Sequence, residues 1–146
     1  MSTGLESIDR TVQQTHLWIN ELDEILGWDN KARSYRLLRA VLQGLRDWLP
    51  VNEAADLGAQ LPTLLRGVYY EHWRPVQTPV KERSLGDFLA RMDEAFRGDR
   101  LGIMPEAVSC VFRFLAQKIT AGEIDDVRQS LPAELRALWT PSGRAA

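Results

Sequence analysis

Side chains that could act as nucleophiles or metal ligands are sparse in this chain. Cysteine occurs once, as Cys110, and histidine twice, as His16 and His72. A nucleophilic thiol needs a neighbouring base, and a zinc site needs three or four ligands at defined spacings. Cys110 falls beside an apolar helical stripe, which predicts a packed thiol. The sequence therefore predicts no catalytic residue, no metal and no cofactor, and it favours a non-catalytic protein while leaving an enzyme open.

Acidic side chains, by contrast, recur in pairs. The pairs are Asp23-Glu24, Asp93-Glu94, Glu53 with Asp56, and Glu123 with Asp126. Paired carboxylates can bind a cation or perform acid–base catalysis. The last two pairs fall in the first turns of predicted helices, where negative charge interacts favourably with the helix dipole. We interpret these carboxylates as structural.

The best candidate for a binding site is an aromatic segment that precedes a proline-containing stretch. Its candidate binding residues are Tyr70, His72, Trp73 and Arg74. Side chains that combine an aromatic ring with a polar group are typical of interfaces where one end stays in water. The alternative is that Trp73, together with Tyr69, anchors the proline stretch across the join between the two halves. Both interpretations stay open at this point.

A row of basic residues is the feature that favours nucleic acid. The row consists of Lys31, Arg33, Arg36 and Arg39. The net charge of the chain is -2, so the protein as a whole has no attraction to phosphate backbones. Arg36 and Arg39 also alternate with core positions. Nucleic-acid binding is therefore the weakest of the candidate functions.

These residues must be positioned by helices, because apolar side chains recur every three or four residues and no segment alternates. Capping pairs, glycines and prolines divide the chain into eight predicted helices. Their approximate ranges are 3–26, 30–49, 51–60, 62–72, 85–97, 105–119, 121–130 and 132–139. Thr3 with Glu6 predicts the first N-terminus, and Asp29 predicts the second. The predicted fold class is all-α.

The apolar pattern returns after a shift of 70 positions. The shift places Leu45 on Leu115 and Leu61 on Leu131, and predicted core positions stay apolar. We therefore predict two duplicated units of about four short helices each, packed together as one bundle-like globule. The N-terminal repeat spans residues 1–73, the proline-containing linker spans 74–84, and the C-terminal repeat spans 85–146.

The first helix extends beyond the repeat. Residues 1–17 add Leu5, Ile8 and Val12 to its apolar stripe, and these positions have no counterpart in the second half. Either the second half of the same chain covers them, which we favour, or a second copy does so through a coiled-coil-like seam.

No feature of the sequence indicates export or a membrane span. Residues 1–6 lack a basic region followed by an apolar run, and no stretch approaches the roughly 18 apolar residues that a span requires. A single cysteine allows no internal disulfide. We expect a cytoplasmic protein without a membrane partner.

Four segments together resemble a known family. They are Leu38–Leu42, Pro50–Pro62, Gly67–Trp73 and Leu131–Trp139. In these segments the chain resembles the bacterial domain of unknown function 2267 family. The resemblance implies a small, cytoplasmic, all-helical bacterial protein with two related halves, and it carries over no catalytic or binding residue.

The leading functional prediction is a non-catalytic module that binds an unknown protein partner or associates with itself. The alternative is a small-molecule or lipid-binding pocket between the halves, enzymatic or not, to which Tyr70, His72 and Arg74 would supply polar groups.

Overall fold

A computed structural model of the chain describes residues 2–99 and 105–139. These residues form eight α-helices and two short 3-10 helices, and they contain no strand. The α-helices are α1 (Glu6–Leu26), α2 (Lys31–Trp48), α3 (Val51–Ala59), α4 (Thr63–Tyr70), α5 (Leu85–Ala95), α6 (Pro105–Lys118), α7 (Ala121–Ser130) and α8 (Ala133–Arg136). The 3-10 helices are Pro75–Gln77 and Ala137–Trp139. The prediction of an all-α fold is confirmed. Residues 140–146, the end of the predicted C-terminal repeat, lie outside the described residues.

Helix α2 lies at the centre of the fold and contacts α1, α3, α4, α5 and α6. Aromatic pairs connect helices from the two parts of the sequence. The rings of Trp48 in α2 and Phe88 in α5 have centroids 5.3 Å apart, and those of Trp18 in α1 and Phe114 in α6 meet edge to face at 5.6 Å. One apolar core is therefore shared by both parts.

The leucines paired by the 70-residue shift are all buried. Leu45 and Leu115 have no exposed surface, and Leu61 and Leu131 are each 2% exposed. Burial of both members of each pair is what a duplication requires. The duplication itself, with its unit boundaries, stays a prediction.

Helix α1 begins later than the sequence predicts. Its first residue is Glu6, and no side chain caps its N-terminus. The hydroxyl and the backbone N–H of Thr3 both donate to the carboxylate of Asp9, each at 2.9 Å. The predicted capping pair of Thr3 and Glu6 is wrong because the Thr3 hydroxyl is held by Asp9 and caps no helical N–H.

The turn into α2 is capped by a neighbour of the predicted residue. The side chain of Asn30, not of Asp29, accepts the N–H of Arg33 at 3.0 Å. The carboxylate of Asp23 accepts the Ser34 hydroxyl at 2.7 Å and the Asn30 N–H at 3.0 Å. These hydrogen bonds hold the pKa of Asp23 below its usual value. Asp23 thus has a structural role at this turn.

Helix α4 ends at Tyr70, two residues before the predicted end. The buried guanidinium of Arg46 donates to the carbonyl of Tyr69 at 2.9 Å and to that of Glu71 at 2.7 Å. It therefore satisfies carbonyl groups that a longer helix would use internally. The chain then turns at His72, whose φ of 65° lies in the left-handed region.

No helix of the described residues combines the length and the apolar character needed to cross a bilayer.

Candidate functional site

The structure separates the four candidate binding residues into two pairs. The rings of Tyr70 and Trp73 stack on each other with centroids 5.2 Å apart. The Tyr70 hydroxyl donates to the carbonyl of Ala55 at 3.4 Å, and both rings pack against the core. Tyr70 and Trp73 therefore fasten the end of α4 to α3 and the core.

His72 and Arg74 form the second pair and line an open cleft of about 260 Å³. The cleft also contains Asp47 and Arg91, whose side chains form an ion pair at 2.5 Å. The rest of its lining is Gln77, Thr78 and Val80. Burial raises the pKa of Asp47, but hydrogen bonds from Arg46 and Arg91 outweigh that effect and leave the pKa below its usual value. Asp47 is thus ionised and paired, and Arg74 is left as an exposed cation at the edge of the cleft.

A group of carboxylates meets where α3 contacts α7. One carboxylate oxygen from each of Glu53, Asp56 and Glu123 lies within 4.8 Å of the other two. We call these three residues the carboxylate cluster. The end of α3 meets the start of α7 nearby, where the side-chain oxygen of Gln60 accepts the N–H of Thr120 at 3.3 Å.

The carboxylate cluster is partly withdrawn from water. Glu123 is 9% exposed, and one carboxylate oxygen each of Glu53 and Glu123 is buried with no hydrogen-bond partner among the described residues. Burial, and after it the charges of Glu53, Asp56 and Asp126, raises the pKa of Glu123 to about 7. Burial also raises the pKa of Glu53, with Asp126 and Asp56 adding to the effect.

The sequence-based interpretation missed this convergence because it treated each acidic pair within its own helix. The available signal was the 70-residue shift, which places Glu53 on Glu123. If equivalent helices of two repeats pack against each other, equivalent side chains can meet at their contact.

The apolar stripe at the N-terminal end of α1 is exposed among the described residues. Leu5, Ile8 and Val12 are 57%, 44% and 45% exposed, whereas Thr15 and Trp18 on the same stripe are buried. The favoured expectation that the second half of the chain covers this stripe is wrong for the described residues. The reason is that α4 contacts α1 beside the stripe and not on it, where the hydroxyl of Thr11 accepts the N–H of Leu64 at 2.9 Å.

A shallow groove of about 470 Å³ follows this part of α1. Its lining residues are Asp9, Val12, Gln13, His16 and Leu17. An acidic and a basic side chain, Asp9 and His16, therefore flank Val12 on one side of the helix.

Two arginines of the basic row near the start of α2 are engaged within the molecule. Arg33 pairs with Asp99 at 2.8 Å and lies over the ring of Trp28, with its guanidinium carbon 3.8 Å from the ring centroid. Arg39 pairs with Glu71 at 2.8 Å. These guanidinium groups are held in the fold, which disfavours phosphate binding by the row.

The thiol of Cys110 is half-buried, so it is packed only in part. A guanidinium N–H of Arg113 donates to its sulfur at 3.3 Å. No imidazole contacts it among the described residues, so no thiol–base pair of the kind used by cysteine nucleophiles is formed there.

A family model matches most of the chain. It is described as Uncharacterized conserved protein (DUF2267) and matches residues 15–138. The chain belongs to the DUF2267 family. This match confirms the resemblance seen in the sequence, and no curated protein matches the chain. The description of DUF2267 names no activity, so function has to be argued from the sites above.

Proposed function

We propose that this protein is a non-catalytic association module that pairs with a second copy of itself through the N-terminal turns of α1. The observation that carries the proposal is the exposure of Leu5, Ile8 and Val12 beside the buried continuation of the same stripe. Exposure of such an apolar stripe to water is unfavourable, and it is typical of a surface that another protein covers. The setting we propose is the bacterial cytoplasm, as expected from the sequence.

A second copy fits this surface because the groove carries an acidic side chain and an imidazole that can donate a hydrogen bond to it. Asp9 and His16 are separated by seven residues, about two helical turns, on the same side of α1. In an antiparallel pair with its two-fold axis near Val12, each Asp9 would face the partner's His16. The apolar residues of both copies would then meet between these two polar contacts, as an isologous contact requires.

The experiment is sedimentation velocity of the full chain over a range of concentrations. We expect a concentration-dependent species of twice the 16.6 kDa chain mass. Val12→Glu should reduce this species, while Gln14→Glu, an exposed control on the same helix, should retain it. His16→Glu would set two carboxylates opposite each other and weaken pairing, and adding Asp9→Lys should restore it. A wild-type chain that stays monomeric at high micromolar concentration would overturn the proposal.

We propose as a second candidate that the cleft beside His72 and Arg74 binds a small anionic ligand. Anion binding is favoured by the exposed guanidinium of Arg74, together with Arg91, which lines the same cleft. Inorganic phosphate is the simplest probe, followed by thermal melting and by NMR shifts of the linker residues. Arg74→Gln should abolish any saturable response, whereas Arg83→Gln, an exposed control in the linker, should not. Equal responses of both variants would exclude this cleft as the site.

A further inference from the structure

The carboxylate cluster is not explained by the interactions that normally hold buried acids. None of the ion pairs or side-chain hydrogen bonds within the described ranges includes a carboxylate oxygen of Glu53, Asp56 or Glu123. A buried carboxylate without a partner is costly, because it loses its hydration without gaining a counter-charge.

Helix capping does not account for the cluster either. Thr120 and Glu123 have the spacing of a capping box, in which the Glu side chain would accept the Thr N–H. Here the Thr120 hydroxyl does accept the Glu123 N–H at 3.4 Å, but the Thr120 N–H donates to Gln60 instead. The carboxylate of Glu123 is thus free of the capping role and is directed toward Glu53 and Asp56 across the helix contact.

The dimensions of the cluster suit a metal ion. Even if all three oxygen separations were 4.8 Å, a point equidistant from the oxygens would lie about 2.8 Å from each, and Ca²⁺ binds oxygen at about 2.3–2.6 Å. A shift of a few tenths of an ångström in the side chains would therefore complete the contacts. The exposed side chain of Asp56 leaves an entry path from solvent.

We propose that Glu53, Asp56 and Glu123 bind one hard divalent cation of the Ca²⁺, Mg²⁺ or Mn²⁺ class at the contact between α3 and α7. The donor set consists of oxygen atoms alone, which favours these ions over Zn²⁺ or Cu²⁺. Asp126 adds negative charge beside the site, and water molecules would complete the coordination shell. The proposal departs from the sequence-based expectation of no metal and is independent of self-association.

Binding of this ion would fasten the two parts of the chain to each other. Glu53 and Asp56 belong to α3, and Glu123 belongs to α7. The hydroxyl of Tyr69 in α4 also interacts with the charge of Glu123; it is buried and donates to the carbonyl of Ala54 at 2.7 Å. Tyr69 stays neutral, since burial raises its pKa far above neutrality.

The test is isothermal titration calorimetry of the metal-free full chain with CaCl₂ and, separately, MnCl₂. At pH 8, where the carboxylates are ionised, we expect saturable binding of one ion per chain and a higher melting temperature with the ion. Affinity should fall as the pH is lowered toward 5, because protons then compete for the same oxygens.

Variants locate the binding site. Glu123→Gln and Glu53→Gln should each weaken binding about tenfold or more, whereas Asp125→Asn, an exposed control on α7, should change it by less than about twofold. Circular dichroism melts verify that each variant is folded, and the two Gln variants test the site separately if one of them folds poorly. No binding of either ion by the wild-type chain at pH 8, or unchanged affinity in both Gln variants, would overturn the proposal.

Discussion

Replacing Glu123 by glutamine should make the protein more stable at alkaline pH. The carboxyl group of Glu123 is buried beside Glu53 and Asp56, so ionising it is costly in the folded state. Glutamine keeps nearly the same shape and removes the titration. The comparison is made in the presence of a chelator, so that no cation compensates the charge.

The magnitude follows from the two pKa values. The pKa is 4.5 in an unstructured chain and about 7 in the folded protein, which corresponds to about 3 kcal/mol. Below pH 4.5 the carboxyl is protonated in both states, and its full stabilising contribution is present. As the pH rises toward 7, the unfolded chain ionises first and that contribution is lost.

The expectation is that Glu123→Gln is about 3 kcal/mol more stable than wild type at pH 8 and nearly equal to it near pH 4.5. Asp47 and Asp23 are present in both proteins and cancel in the difference, whereas Glu53 ionises more readily in the variant because the neighbouring Glu123 charge is absent.

The assay is urea unfolding of both proteins across this pH range, with Asp125→Asn as the exposed control. The control should track the wild type at every pH. A Glu123→Gln variant whose stability differs from wild type by the same amount at low and high pH would refute the reasoning, since Glu123 would then ionise in the folded state at no cost.

Further predictions concern packing. Leu45→Ala and Leu115→Ala should each lower the free energy of unfolding by about 2–5 kcal/mol in urea, and a loss below 1 kcal/mol at either site would contradict its burial. Gly58→Ala should cost about 1–3 kcal/mol, because its new Cβ would lie 2.3 Å from the Tyr70 hydroxyl, and Tyr70→Ala in the same chain should remove most of that penalty in thermal melts. Arg46→Met should cost about 3 kcal/mol or more, because two carbonyls and Asp47 lose a buried donor, and an unchanged melting temperature would count against that role.

The sequence predicted much of the fold because helix formation depends on local spacing. All eight helices occur where the apolar period, prolines and glycines indicated, with ends displaced by a few residues. The displaced ends have non-local or competing causes. Arg46 of α2 donates to a carbonyl group at the end of α4, where the helix stops. Asp9 accepts a hydrogen bond from the Thr3 hydroxyl, which was predicted to cap α1.

The candidate sites were less predictable. The sequence placed Tyr70, His72, Trp73 and Arg74 in one segment, and the structure divides them between a packed pair and a cleft that also needs Arg91 from α5. Adjacency along a chain does not determine which side chains face the same cavity, because the backbone turns at His72 after the helix ends.

The sequence by itself determined an all-α chain, the position of each helix and the burial of leucines such as Leu45 and Leu115. Only the tertiary structure decided that Glu53 and Glu123 would meet and that Ile8 would remain uncovered. The physical reason is that a helix's apolar stripe depends on residues within two turns of each other. The partner of each stripe depends instead on how helices far apart in the chain pack against one another.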